Sequence, residues 1–116
     1  MRKLKQIREL LVDIYGCEAN LDDVRFLRAV LKKAAAEMGS TVVRTTSHKF
    51  SPTGTTVIAI LAETHMSIHT WPEYKYAALD IFICNEDIDP KTGWEAVRNA
   101  LKPTSSKAHH ITRRIQ

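Results

Sequence analysis

The most apolar run in the chain, Val57 to Leu61, leads straight into Ala62-Glu63-Thr64-His65-Met66-Ser67-Ile68-His69-Thr70-Trp71-Pro72-Glu73. A buried strand is the simplest fate of the first segment, so the second segment puts reactive side chains at that strand's end. An acid, a hydroxyl residue, two histidines and a Trp-Pro turn fall within a dozen positions. A surface loop rarely has so much hydrophobe behind it, and a plain core strand rarely has so many groups able to move protons.

The rest of the chain has to bury that strand. With 116 residues, 44% of them hydrophobic and 26% charged, there is room for one core and one domain, residues 1–116, without low-complexity bias. No apolar run approaches the ~20 residues a bilayer needs, so no membrane partner is expected. The basic start Met1-Arg2-Lys3-Leu4-Lys5 is not followed by an apolar stretch or a small-residue cleavage site, and a cytoplasmic protein is expected. Cys17 and Cys84 lack the number and spacing of a disulfide framework, and no Cys-x-x-Cys occurs, so reduced thiols are the default. The net charge of +4 is spread over the first helix and both termini without interleaved aromatics, which argues against nucleic acid. The basic tail Lys107 to Arg114 reads as an edge strand whose charges discourage association of sheets.

Leu10 to Tyr15 is β-prone and closes on Gly16. Asn20 then reads as an N-cap, and Val24, Leu27, Leu31, Ala34 and Met38 recur at helical spacing until Gly39. Thr41 to Thr46 is rich in β-branched residues, and Ser51-Pro52-Thr53-Gly54 supplies a turn before Thr55 to Leu61. Lys75 to Cys84 alternates, with Ala77, Leu79, Ile81 and Ile83 on one face and Tyr76, Ala78, Asp80, Phe82 and Cys84 on the other. Asp89-Pro90 opens a second helix carrying Trp94, Val97 and Leu101 and ending before Pro103. The order predicts an α+β fold, a two-layer sandwich with a mainly antiparallel sheet and two helices on one face. Two helices leave the other face bare, and a two-fold dimer through the sheet side is the simplest cover.

Taken residue by residue, the chemistry stays open. His65 and His69 stand four apart but have no third ligand in a zinc-hydrolase context, so no metal is expected. In a strand, His65, Ser67 and His69 share one face and Thr64, Met66 and Ile68 the other; such a row could handle protons or be structural. Cys84 at a strand end is by itself most simply a core thiol. Glu63 and Glu73 do not establish a glycosidase pair, and no nucleophile elbow is present.

The run Glu63 to Tyr74, with His69-Thr70-Trp71-Pro72-Glu73 at its heart, is followed by Tyr76-Ala77-Ala78 and Asp80-Ile81-Phe82-Ile83-Cys84. This pattern closely resembles the short prokaryotic S-adenosylmethionine decarboxylases, pyruvoyl-dependent enzymes of spermidine synthesis. Tyr15-Gly16-Cys17, Leu21-Asp22-Asp23, Lys33-Ala34-Ala35, His48-Lys49-Phe50-Ser51-Pro52 and Asp87-Ile88-Asp89-Pro90 extend the resemblance over most of the chain. It implies a proenzyme that cuts itself between Glu63 and Thr64, giving a β chain of residues 1–63 and an α chain of residues 64–116. The new N-terminus would be an α-keto acyl cofactor that forms a Schiff base with the substrate, S-adenosylmethionine, in a homodimer of processed protomers.

The same resemblance implies roles for single residues. His69 would be the proton acceptor in processing, and Thr56 would assist the acyl shift. Cys84 would be the proton donor in catalysis, a role that suits a thiol of ordinary pKa ~8.5, mostly protonated at neutral pH. Phe50 and Glu73 fall at substrate-binding positions. One departure matters most: the family has serine where this chain has Thr64, so the cofactor would be 2-oxobutyryl rather than pyruvoyl, and slow or partial self-cleavage is expected. Ile7-Arg8-Glu9 replaces the family's Gly-Arg-His, Thr56 replaces a serine and Val57 a glycine. Arginine or ornithine decarboxylation on the same scaffold, or an uncleaved non-catalytic homologue, are the alternatives these departures raise. Regular strand geometry would put Thr64 and His69 on opposite faces, so the strand is expected to break near Thr64 if both act on one bond.

Overall fold

The computed structural model describes residues 6–115; the basic run at residues 1–5 lies outside the described residues. Within them the order is β1 (Gln6–Tyr15), α1 (Val24–Met38), β2 (Val42–Lys49), β3 (Thr55–Leu61), β4 (Thr64–Trp71), a short 3-10 turn (Pro72–Tyr74), β5 (Tyr76–Ile83), α2 (Pro90–Leu101) and β6 (Ser105–Arg114). All strand pairs are antiparallel, and the sheet runs β2-β3-β4-β5-β1-β6. This is the expected α+β sandwich with both helices on one face.

Strand alternation decides which side chains meet the helices. Leu10, Val12 and Ile14 of β1, Val57, Ala59 and Leu61 of β3, Met66 and Ile68 of β4, and Ala77, Leu79, Ile81 and Ile83 of β5 are all buried. They form one core with Leu27, Leu31 and Ala34 of α1 and Val97 and Leu101 of α2. The predicted face of β5 is therefore the core face. β6, exposed along its whole length, is the basic edge strand foreseen for the tail.

Three local expectations are corrected. The cap of α1 is Asp23, whose carboxylate accepts from the Phe26 N–H at 3.1 Å, not Asn20. Asn20 instead turns back on the chain, its side-chain oxygen accepting from the Asp22 N–H at 3.0 Å. β1 begins at Gln6 rather than Leu10, because the ladders to β5 and β6 carry its charged first half. β2 runs on to Lys49, with a bulge between Val42 and Arg44. The cap of α2 is Asp89 with Pro90 behind it, as the sequence predicts.

The sheet's other face is bare in one protomer but is not shaped like a water-facing surface. Tyr15, Ile60, Trp71 and Ile111 are exposed there, and Phe82 stacks on His65 at 5.3 Å. Asp80 sits 3.6 Å from His65 Nε2, with the Glu9 carboxyl beside it. Burial, and then the neighbouring Asp80, push the Glu9 carboxyl above its ordinary pKa. Nearby, Tyr76 donates to Asp13 at 2.5 Å, and burial together with that carboxylate pushes its phenol up to about 12.

Candidate active site

β3 and β4 form a hairpin in which Leu61 pairs with Thr64, leaving Ala62 and Glu63 as the turn. The turn is held from three sides. The Ala62 N–H donates to the Thr41 carbonyl at 2.9 Å, and the Ser40 hydroxyl donates to Glu63 Oε1 at 2.7 Å. The Glu63 carbonyl accepts twice from Cys84, from its N–H at 3.1 Å and from its thiol at 3.0 Å.

That carbonyl belongs to the Glu63–Thr64 peptide bond. Two donors aimed at one carbonyl draw charge onto its oxygen and make its carbon easier to attack, which is the geometry of an oxyanion hole. Next to it, Thr64 has φ of 133°, a conformation a β-branched residue adopts only when its surroundings impose it. The Thr64 hydroxyl is buried and has no hydrogen-bond partner among the described residues. A buried, unpaired hydroxyl beside a polarised carbonyl is chemically available in a way that a satisfied one is not. The strand irregularity expected near Thr64 is confined to this residue, since β4 pairs with both neighbours from Thr64 onward.

The second group of predicted residues gathers at the opposite end of the same strands. Thr56 and His69 are register partners, and Thr56 Oγ1 lies 2.9 Å from His69 Nδ1. With Phe50, Trp71 and Glu73 they line a cleft of about 360 Å³. The Phe50 turn is tethered from below: Asp22 pairs with Lys49 and accepts from the Gly54 N–H at 2.9 Å. The Lys49 contact, then the Gly54 N–H, hold the Asp22 carboxyl below its ordinary pKa. A folded-state pKa that is lowered means the tether is fully present above the ordinary carboxylate range and is lost as pH falls through the depressed value.

The structure thus brings Glu63, Thr64 and Cys84 together, and Phe50, Thr56, His69 and Glu73 together, but keeps the two groups apart within one protomer. His69 is five positions beyond Thr64 on β4, roughly 17 Å at the ~3.4 Å rise of an extended strand. Sequence reasoning missed Ser40, whose contact with Glu63 spans 23 positions and follows no local pattern. It also passed over Trp71 as a lining residue, although the Trp-Pro turn was the available signal. Among the described residues no group of three or more His, Cys, Asp or Glu side chains is placed to hold a metal ion.

Fold and hairpin together define a class: a two-layer α+β sandwich with a doubly hydrogen-bonded carbonyl at the turn of the β3–β4 hairpin. The family model for S-adenosylmethionine decarboxylase matches residues 8–114. Similar curated proteins include an S-adenosylmethionine decarboxylase proenzyme of Thermotoga petrophila, 44% identical over 82% of this chain and 74% of that one. Another is the S-adenosylmethionine decarboxylase proenzyme of Methanococcus vannielii, 41% identical over 97% of this chain and 93% of that protein. The crystal structure of the adenosylmethionine decarboxylase from Aquifex aeolicus superposes with a TM-score of 0.88 at 28% identity, covering 99% of this chain and 95% of that one. This chain belongs to the S-adenosylmethionine decarboxylase family.

Proposed function

We propose that this protein is a self-processing S-adenosylmethionine decarboxylase that cuts its own Glu63–Thr64 bond and works as a homodimer in the cytoplasm. The observation that carries the reading is the Glu63 carbonyl, which accepts two hydrogen bonds, beside the buried Thr64 hydroxyl, which has no partner among the described residues. The two free cysteines and the absence, among the described residues, of a helix long and apolar enough to cross a membrane are compatible with that compartment.

In processing, Thr64 Oγ1 attacks the Glu63 carbonyl carbon, and Cys84 holds the developing negative oxygen. The C–N bond breaks, the amide becomes an ester, and the freed nitrogen takes up a proton. His69 then removes the proton on the Thr64 Cα, the Thr64 Cβ–Oγ1 bond breaks, and Glu63 leaves with both oxygens as the carboxylate end of the β chain, residues 1–63. Water replaces the nitrogen, ammonia departs, and the α chain, residues 64–116, starts with a 2-oxobutyryl group. One water is consumed and no oxidant or reductant is needed. When formed, that group supplies an electrophilic carbonyl for an amine substrate and an electron sink for loss of carbon dioxide. The residues around the bond fit its formation: hydroxyl, polarised carbonyl and thiol are in place, and Cys84 is left as a proton donor near the new terminus. Phe50 and Trp71 offer flat faces to the adenine, and Glu73 offers a carboxylate to polar groups of the substrate.

The separation of His69 from Thr64 requires a second copy. A two-fold axis between two facing sheets, perpendicular to the strands, reverses strand direction and lays the hairpin end of one protomer over the Thr56–His69 end of its partner. The exposed Ile60, Trp71 and Ile111 and the half-buried Glu9–Asp80–His65 row would then be covered.

Intact mass of the purified protein is expected to show two fragments split after Glu63, with the α chain lighter by one ammonia than a plain threonine terminus. A single uncut chain that releases no carbon dioxide from S-adenosylmethionine, arginine or ornithine would exclude the enzyme reading. Replacing His69 by Ala should slow cleavage by ~10²–10⁴, the usual worth of a general base. Co-expressing H69A and T64A chains should restore cutting of the H69A chain alone, because one mixed site holds Thr64 of one copy and His69 of the other. If neither chain is cut, His69 does not act across the interface. A milder effect is expected at the tether: D22A should raise KM several-fold at unchanged processing, because Phe50 loses its anchor, and an unchanged KM would show the tether to be idle.

A further inference from the structure

Self-cleavage needs the Glu63 carbonyl to stay against Cys84 while Thr64 keeps an unfavourable φ of 133°. Such a conformation is unfavourable for a residue with a Cβ and relaxes unless its surroundings over-determine it. Rotation of the peptide between residues 63 and 64 would relieve it, and would also swing the carbonyl away from its two donors. Something must oppose that rotation from the other side of the turn.

Resting on the self-processing reading, we propose that Ser40 is a positioning residue for self-cleavage, fixing the Glu63 carboxylate so that the Glu63 carbonyl faces Cys84. Ser40 is 9% exposed, and its hydroxyl donates to Glu63 Oε1 at 2.7 Å. It is itself immobilised. Gly39 ends α1 in the left-handed conformation, and the Ser40 N–H donates back to the Ala35 carbonyl at 2.9 Å. On its other side Thr41 accepts from the Ala62 N–H, and Val42 opens the ladder with Leu61. The C-terminus of α1 is thereby coupled rigidly to the turn. Glu63 is gripped by its side chain on the helix side and by its main chain on the β5 side, and the peptide bond between these anchors cannot rotate freely. The Ser40 hydroxyl is bonded to the Glu63 carboxylate and not to the scissile peptide itself, so it acts through Glu63.

The test follows the first-order rate of cleavage of the freshly purified full chain by intact mass. S40A should cut roughly tenfold more slowly than the unaltered protein, the scale of one hydrogen bond to a charged acceptor expressed as a rate. S40T, which keeps the hydroxyl, should recover most of the rate, and once S40A is fully cut its turnover should match wild type within about twofold. E63A should resemble S40A, and the S40A/E63A double variant should be no slower than either alone, because both remove one contact. Wild-type cleavage rate in S40A, or multiplicative slowing in the double variant, would overturn the assignment. Should S40A not fold, E63A against E63Q decides it, with E63Q near wild type because its amide oxygen still accepts, and equal rates for both counting against it. An unaltered chain that never cuts removes the self-processing reading and this assignment with it; a chain that cuts as fast without Ser40 removes only the assignment.

Discussion

A Thr64→Ala chain is expected to remain whole indefinitely, to release no carbon dioxide from any amine, and to be slightly more stable than an uncut chain that keeps the threonine. The first two outcomes follow from the absence of any nucleophile: alanine retains the Cβ but has no oxygen to attack the Glu63 carbonyl. The third follows from the buried Thr64 hydroxyl, which has no partner among the described residues. Removing an unsatisfied buried polar group returns its desolvation cost, ~1–3 kcal/mol. Denaturant midpoints of T64A and of the slowly cutting H69A chain, the latter measured before it is cut, test this. A T64A chain less stable than H69A would mean the hydroxyl has a partner after all.

Thr64→Ser separates strain from crowding. Both residues carry a Cβ at φ of 133°, so the backbone strain is common to them. Only threonine must also fit a methyl group while its oxygen swings to the carbonyl carbon, and an off-rotamer side chain costs about 0.5–1.5 kcal/mol. Serine should therefore cut ~2–10-fold faster and leave a pyruvoyl terminus. Equal rates would show that the methyl group does not hinder the shift.

How much of this was legible beforehand differs between fold and site. The β5 faces could be read because alternation over Tyr76 to Ile83 has one physical meaning, and α2 because Asp89-Pro90 allows one start. The cap of α1 could not, since Asn20 and Asp23 are both good caps and the competing Asx turn at Asn20 decides between them only in three dimensions. At the site, residue types carried the family resemblance and therefore the chemistry. Distance was not encoded in them: Thr64 and His69 are neighbours in the motif yet stand far apart along an extended strand. Sequence parity did warn that the two cannot share a face, which a hairpin with a local distortion at Thr64 answers only in part. The remaining separation is the observation behind the proposed two-copy site. Ser40 illustrates the opposite limit, a contact created wholly by the way α1 and β2 deliver the chain to the turn.

Cys84→Ala is expected to impair two steps by different amounts. The family resemblance implies a proton donor in turnover, and loss of a general acid costs ~10²–10⁴-fold. The structure adds a second contact, since the same thiol donates to the Glu63 carbonyl at 3.0 Å before any cleavage has occurred. Removing a strong oxyanion-hole donor costs ~10²–10³-fold. A thiol is a weak donor, however, and the Cys84 N–H remains at 3.1 Å in the variant. Processing should therefore slow about tenfold and still reach completion, while decarboxylation per cut chain falls at least a hundredfold. Cys84→Ser distinguishes the contributions further. Its hydroxyl can donate to the carbonyl and should restore processing, but as a far weaker acid than a thiol it should leave turnover low. Intact mass reports the first rate and carbon dioxide release from fully cut protein the second. Unaltered processing in C84A would mean the thiol contact contributes nothing before cleavage, and equal losses in both steps would mean that one role, not two, is lost with the sulfur.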